Sequence, residues 1–569
     1  MTALDRRRFL AVGAALGLPA LLTEQVWADA AGTADTADAA VLLKLTAEQV
    51  AGAESVMGLP LTEAERTMVL PSLEQALTTF GAIRQVPLPN DVVPAVAFTP
   101  EVPGVLAEPL PTRGVKLPAV NPAAPTTDAD WGFATVAELG ALLRAKRVTV
   151  RQLTERTLAR LEAADRDLLC VTALLRERAL AQADLLDTEA RAGTWRGPLH
   201  GIPWGAKDLL SVPGAPTTWG SPLYKDRVLS ETATVVERLD AAGAVLVAKL
   251  TLGEFAMGDV WYGGRTRNPW NLDQGSSGSS AGSASAVSAG LLPFAIGSET
   301  LGSIVSPCTR CGVSGLRPTF GRVSRHGAMA LSWTMDKLGP IARTAEDLAL
   351  VFDTIHGADP RDPTARTVAF GYDATRPLAS IRIGIHAALA EGGANAAGPI
   401  KPVLEALRAR GATFTTVAWP EDLPAAPLNL IIGVEGAAAF DAITRDNLDD
   451  RMVQQTANAW PNTFRAARFV PAVEYLQANR VRTLLMQRLD AMFRTVDVVI
   501  TPPYAGNVLV STNLSGHPAV VVPVGFGTND APQTMTVIGG LWKEELALRV
   551  AAEWQAASAV HRRRPPRFA

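Results

Sequence analysis

The chain has 569 residues, 53 basic and 56 acidic, for a net charge of −3, and 48% of it is hydrophobic against 6% aromatic. That is too apolar for a disordered chain, the 47 glycines and 40 prolines follow no fibrous period, and the charge balance lacks the basic excess of a nucleic-acid binder. Three cysteines (Cys170, Cys308, Cys311) and six histidines, with no H-E-x-x-H and no paired C-x-x-C, exclude a disulfide framework and argue against a zinc site. A large water-soluble enzyme without metal or cofactor is expected.

At the N-terminus, Arg6-Arg7-Arg8-Phe9-Leu10 leads into an apolar run ending at Leu22, followed by Ala28-Asp29-Ala30. A charged start, a short apolar run and an A-x-A exit are the parts of an export signal. The run of 14 residues falls short of the roughly 20 a membrane span needs, so no stable anchor is expected after cleavage. The arginines before Phe-Leu resemble a twin-arginine signal, the bacterial route for folded proteins. The alternative is a basic terminus entering an ordinary helix. Residues 1–30 are therefore read as an address to the periplasm or the medium. In such a compartment Cys308 and Cys311 are the only close pair, and they read as structural thiols.

Residues 31–128 form a distinct extension. Thr62 and Glu65 make a capping box that opens a helix, which Pro71 either kinks or follows with a second helix. Between Pro87 and Pro125, ten of 39 residues are proline, too many for a regular helix or a central strand. This stretch reads as a strap over the main domain, with a flexible linker as the alternative. The extension has two candidate roles: part of the substrate pocket, or pairing of protomers in a homodimer.

Residues 129–569 alternate helices with short apolar runs. Amphipathic helices are predicted over Ala137 to Leu161, Arg176 to Ala192, Thr232 to Ala242, Thr344 to Ile355, Ile400 to Arg410, Pro471 to Phe493 and Leu546 to Ala557. Val245 to Ala248, Leu292 to Ile296, Val496 to Ile500 and Ala519 to Val522 are brief, β-branched and bounded by Gly or Pro, which suits strands buried on both faces. The class is α/β: one large domain with a mixed β-sheet core covered by helices, plus the helical and proline-rich extension.

The least ordinary stretch is Gln274 to Gly290, where seven of 17 residues are serine. A solvated linker does not fit, because the run passes directly into the apolar Leu291 to Ile296, and hydroxyls beside a core are costly unless used. No G-x4-G-K-[ST] can be threaded here, which excludes a phosphate loop. Gly278-Ser279-Ser280-Ala281-Gly282 matches a G-x-S-x-G elbow, but the turn-rich Asn268 to Gln274 stands where that elbow needs a strand.

Gly278 to Ala284, followed 24 residues on from Ser279 by Ser303 in Gly297-Ser-Glu-Thr-Leu-Gly-Ser-Ile304, resembles the core of the amidase signature family. Three further segments agree in order: Gly197 to Asp208, Cys311 to Ser324, and Asn513 to Ala519. The resemblance runs from about residue 129 to 565. It implies a triad of Lys207 as base, Ser279 after a cis peptide as proton relay, and Ser303 as nucleophile, with Ser280 in support. It also implies an oxyanion hole from the backbone N–H groups of Thr300, Leu301, Gly302 and Ser303. A serine needs a base within reach, and a lysine with an ordinary pKa of roughly 10.4 must be held neutral by burial or a nearby cation. Pro203, Trp204 and the apolar run after Asp208 offer that burial, while Asp208 would oppose it if it faced the amine.

The expected activity is hydrolysis of the C–N bond of linear small-molecule carboxamides through an acyl-enzyme. The alternatives are a non-catalytic binding protein on a degenerate amidase scaffold, and the partner-dependent A-type subunit of an amidotransferase. The scaffold alternative is motivated by departures from the family's Gly-Thr-Asp-x-Gly-Gly-Ser-Ile-Arg: Glu299 for Asp, Leu301 for Gly, Val305 for Arg. Arg310 is the expected partner of Glu299, and Leu301 is expected to lose the oxyanion donor if its position demands a positive φ. His200, His326 and His517 read as structural. Trp204, Trp219, Trp261, Trp270 and Trp333 are either pocket walls or core.

Overall fold

A computed structural model describes residues 44–57, 60–84, 86, 89–90, 92, 98–102, 114–390, 393, 395 and 398–569. The export signal expected over residues 1–30 lies outside them. The chain divides into two compact units, residues 1–87 and 88–569. In the first, helices Ala47–Met57 and Glu63–Arg84 are joined by an Arg66–Glu54 ion pair of 2.7 Å. The predicted capping box is present: Thr62 N–H donates to Glu65 Oε2 at 2.7 Å and Glu65 N–H to Thr62 Oγ1 at 3.3 Å. Pro71 sits inside this one helix and starts no second one.

The second unit is built on a sheet of eleven strands among the described residues. In chain order they are β1 (Val171–Leu174), β2 (Pro203–Lys207), β3 (Val245–Leu250), β4 (Phe294–Glu299), β5 (Ser314–Arg317) and β6 (Lys337–Ala342). There follow β7 (Ile383–His386), β8 (Phe414–Val417), β9 (Val498–Thr501), β10 (Ala519–Phe526) and β11 (Pro532–Gly539). Across the sheet the order is β8-β7-β9-β11-β10-β5-β6-β4-β2-β3-β1. The sheet is mixed: β2 runs parallel to β3 and β4, and β7 to β8 and β9, while the strands between are antiparallel. Every residue of β2, β3 and β4 is buried, as the apolar, β-branched composition requires of strands covered on both faces. Helix Ala345–Ile355 packs on helix Glu544–Ser558, which lies on β10 and β11.

Two expectations shift. The helix predicted from Ala137 to Leu161 is two, Val136–Arg144 and Val150–Leu168. Lys146 turns at φ 54° between them, and Thr149 with Gln152 forms a capping box for the second. The strand predicted at Leu292 to Ile296 starts later, at Phe294, after Pro293, which has no N–H for a ladder. The described parts of the proline-rich stretch lie along this unit, as a strap would. Gly114–Lys116 pairs in parallel with Gly371–Asp373, and Phe98 packs edge-on against Phe320 at 5.0 Å and beneath the Arg482 guanidinium at 3.6 Å.

Candidate active site

Parallel strands β2 and β4 end side by side, in register at Ala206 and Ile296, and side groups at such carboxyl ends converge on one crevice. Lys207 closes β2. Its Nζ lies 2.8 Å from Ser279 Oγ, 3.0 Å from Ser280 Oγ and 2.8 Å from Ser298 Oγ. Ser279 and Ser280 precede helix α1 (Ala281–Ser288), which packs on β4. The Gly278–Ser279 peptide is cis, and a Cβ at Gly278 would sit 1.8 Å from the Gly258 carbonyl oxygen, so only glycine fits. Ser280 Oγ donates to Ser298 O at 3.0 Å and accepts from Ser298 N–H at 3.1 Å, extending the edge of β4 through a side chain.

Ser280 spends its one proton on Ser298 O, so it can only accept from Lys207. A protonated lysine offers three N–H bonds to three hydroxyls. A neutral one keeps two, and its lone pair is left for the proton of Ser279 or Ser298. The cage therefore holds both states of the amine. Burial pushes the Lys207 pKa well below its ordinary value, with the carboxylates of Asp336 and Glu299 pulling the other way. Asp208 does not face the amine. It pairs with Lys249 at 2.6 Å and accepts from Thr218 N–H at 3.1 Å and Thr218 Oγ1 at 2.5 Å.

Ser303 stands between β4 and helix α2 (Val305–Cys311) and is 7% exposed. Its carbonyl accepts from Ser280 N–H at 3.1 Å, tying its loop to the serine cage. Its hydroxyl forms no hydrogen bond with Ser279, whose Oγ accepts from Lys207 Nζ. Catalytic hydrogen bonds of this kind often tighten only when substrate is present. Among the described residues, the N–H groups of Leu301, Gly302 and Ser303 take no hydrogen-bond partner. Gly302 carries the positive φ, 83°, whereas Leu301 stays in the region open to any residue. Successive free N–H groups around a left-handed residue form an anion-binding concavity. The departure at Leu301 thus does not force its peptide out of line.

Glu299 fixes this loop from behind. Its Oε2 accepts from Ile304 and Val305 N–H at 2.8 and 2.9 Å, and its Oε1 from Arg317 Nη1 and Asn513 Nδ2, both at 2.8 Å. Burial alone would raise this carboxyl, but Arg317 and the other donors hold it at about 2. Arg317, not Arg310, is the ion partner; Arg310 reaches outward to Gln274 at 3.2 Å. Sequence reasoning also missed Ser298, which lies near the end of β4 and meets Lys207 Nζ through its hydroxyl. Asp336 was missed too: it accepts from Thr300 Oγ1 at 2.6 Å and from Leu331 and Ser332 N–H at 2.8 and 2.9 Å. Nothing local marks either Arg317 or Asp336.

His200 contacts Arg196 N and Leu186 O at 3.3 and 3.2 Å, and His517 bonds Ser515 Oγ at 2.8 Å while burial and Arg317 push it down to about 3. Both are structural, as expected. Trp204 stacks on Phe294 in the core, Trp219 packs among Tyr224, Phe255 and Phe440, and Trp270 donates to Cys311 O at 2.9 Å. Cys170, Cys308 and Cys311 are free, buried thiols. A cavity of about 100 Å³ meets the site at Ser298 and Thr300 and is lined by His326 and, of the five tryptophans, by Trp333. Among the described residues no cluster of His, Cys, Asp and Glu could hold a metal ion.

The Amidase family model matches residues 152–548. The A-type subunit of the glutamyl-tRNA(Gln) amidotransferase of Chloroflexus aggregans is 36% identical over 484 residues, covering 76% of this chain and 98% of that protein. Its namesake from Nitrosomonas europaea is 32% identical, covering 76% and 99%. Among solved structures, the peptide amidase of Stenotrophomonas maltophilia superposes with a TM-score of 0.67 at 29% identity, over 76% of this chain and 98% of that one. A bacterial aryl acylamidase of the amidase signature family shares the fold at 24% identity and a TM-score of 0.66, over 75% and 96%. Relatives matched almost from end to end carry the whole catalytic fold and not a borrowed motif, and so the chain belongs to the amidase signature family, enzymes that act on carbon–nitrogen bonds.

Proposed function

We propose that the chain hydrolyses linear carboxamides through an acyl-enzyme on Ser303, with Lys207 as the base acting through Ser279. The Ser303 hydroxyl attacks the amide carbonyl while its proton passes to Ser279 Oγ, and the Ser279 proton passes to neutral Lys207. The C–N bond then breaks as the same relay returns a proton to the leaving nitrogen, releasing ammonia or an amine. Water repeats the sequence on the ester and frees Ser303. In this reading the unpartnered N–H groups of Leu301, Gly302 and Ser303 hold the oxyanion, and such a donor is typically worth about 3–4 kcal/mol in the transition state. Base, relay and donors all come from the chain, so the reaction calls for no cofactor.

The observation that carries this reading is a buried lysine whose amine meets three hydroxyls and no carboxylate within bonding distance. The test is an amide panel with wild type, Ser303→Ala and Lys207→Ala, alongside fluorophosphonate labelling. Ser303→Ala should lose both turnover and label, and Lys207→Ala should lose about 10²–10⁴-fold in rate. Normal hydrolysis by Ser303→Ala would end the proposal. Folded wild type that neither labels nor hydrolyses would favour the binding-protein alternative, which the intact loop geometry around Leu301 and Glu299 disfavours.

A second reading, the A-type subunit of an amidotransferase, is supported by the names of the curated relatives. Purified alone, such a protein would hydrolyse simple amides poorly until its partners were added. The Arg6-Arg7 signal supports the free hydrolase, exported to the periplasm or the medium. Fractionating bacteria that express the chain with Arg6 and Arg7 intact or changed to lysine tests that placement. Retention of both forms in the cytoplasm would refute it.

A further inference from the structure

Asn90 lies in the proline-rich strap, well ahead of the residues 152–548 that the family model matches. Its side-chain amide pairs with both backbone groups of Ala330: Nδ2 donates to Ala330 O at 2.9 Å and Oδ1 accepts from Ala330 N–H at 2.6 Å. Nδ2 also reaches Ala439 O at 3.5 Å, at the last residue of helix Leu430–Ala439, where carbonyls lack helical partners. The Asn90 carbonyl accepts from Trp333 Nε1 at 3.4 Å. Only an amide side chain offers donor and acceptor side by side in this way. Ala330, Trp333 and Asn90 itself all line the cavity that meets the site at Ser298 and Thr300.

Part of that wall is apolar, with Leu209, Met329, Leu331 and Leu338, and part is polar, with His326, two arginines and two aspartates. Its cations are already occupied. Arg325 pairs with Asp362 at 3.2 Å and donates to Trp333 O at 2.7 Å, while Arg361 pairs with Glu237 at 2.6 Å and Asp359 at 3.0 Å. Among the described residues, no cation lining the cavity lacks a carboxylate. Asp336, which makes no ion pair there and accepts from Thr300 Oγ1, offers a carboxylate no counter-charge. A substrate carboxylate placed in this cavity would be desolvated without a counter-charge, at high cost.

We propose that Asn90 is a specificity-determining residue: it brings the strap into the lining of the substrate cavity, holds the strip around Ala330 in place, and restricts the enzyme to amides that carry an apolar group and no carboxylate. This rests on acylation at Ser303 as set out above. The test compares kcat/KM for 4-phenylbutyramide, acetamide and glutamine in the full chain, its Asn90→Ala variant and its Trp333→Ala variant. Wild type should turn over glutamine at less than about one hundredth of the rate with phenylbutyramide. Asn90→Ala should lower the phenylbutyramide-to-acetamide ratio by about tenfold or more, through KM. Trp333→Ala should move it in the same direction, and it decides the matter if Asn90→Ala does not fold. An unchanged ratio in the folded variants, or glutamine as good a substrate as phenylbutyramide, overturns the inference. Failure of Ser303 acylation is read separately, as hydrolysis that survives Ser303→Ala.

Discussion

Changing Glu299 to glutamine removes a charge at the point where three parts of the fold meet. Its two oxygens accept four hydrogen bonds, two from the start of α2 and two from Arg317 and Asn513. A carboxamide can replace only one of those oxygens. Whichever way it turns, its NH₂ faces two donors that cannot accept. Arg317, with a side chain 0% exposed, also loses its counter-charge. Breaking one side of a buried pair costs about 3–5 kcal/mol. Arg317 keeps its bonds to His517 O at 3.2 and 2.9 Å, which places the loss near the lower end, at about 3 kcal/mol. Urea unfolding of wild type and variant, followed by tryptophan fluorescence, measures it as a lower midpoint at constant slope. Because Ile304 and Val305 follow Ser303 directly, kcat should fall as well.

The pH dependence of this difference has a definite sign. The Glu299 carboxyl is held at about 2, below its ordinary 4.5, so its contribution is complete above about 4.5 and is lost as pH falls toward 2. The gap between wild type and Glu299→Gln should therefore close over that acid range. A loss below about 1 kcal/mol at neutral pH, or a gap that widens in acid, would refute the account of Glu299 as the anchor of the Ser303 loop.

Ser298→Ala removes one of three acceptors of the Lys207 ammonium, which disfavours the charged amine and lowers its pKa further. In the proposed mechanism the neutral amine is the base, so kcat/KM rises with pH through that pKa, and its acid limb should move to lower pH; a move to higher pH would show that Ser298 does not serve the ammonium. Gly302→Ala places a side chain at φ 83°, with its Cβ 3.1 Å from Ser306 Oγ and 3.3 Å from Leu509 Cδ2. The left-handed residue costs about 1–2 kcal/mol, and the burst of acyl-enzyme formation should slow about tenfold. Asp208→Asn leaves Lys249 buried without a counter-charge and should cost about 3–5 kcal/mol in urea unfolding, with the acid limb of kcat/KM in place.

What the sequence made legible was local. Lys207, Ser279 and Ser303 stand in short motifs whose order could be read along the chain, and the buried strands announced themselves as runs apolar on both faces. The rest depends on register between distant segments. Ser298 reaches Lys207 only because β4 lies parallel beside β2, 91 residues away in sequence. Asn90 reaches Ala330 across 240 residues through an amide–backbone pair that leaves no pattern in either segment. Arg310 was the natural partner for Glu299 in a linear reading, yet it sits in the last turn of α2 while Glu299 caps the first, and the sheet supplies Arg317 from β5 instead. The departure at Leu301 shows the same limit in reverse. Along the motif it removes a glycine from the oxyanion loop and reads as a loss. In the folded loop the left-handed turn belongs to the next residue, Gly302, so Leu301 keeps an ordinary backbone and a free N–H. A glycine matters for catalysis only where the chain must turn through positive φ, and one-dimensional comparison cannot tell which glycine of a pair bears that duty.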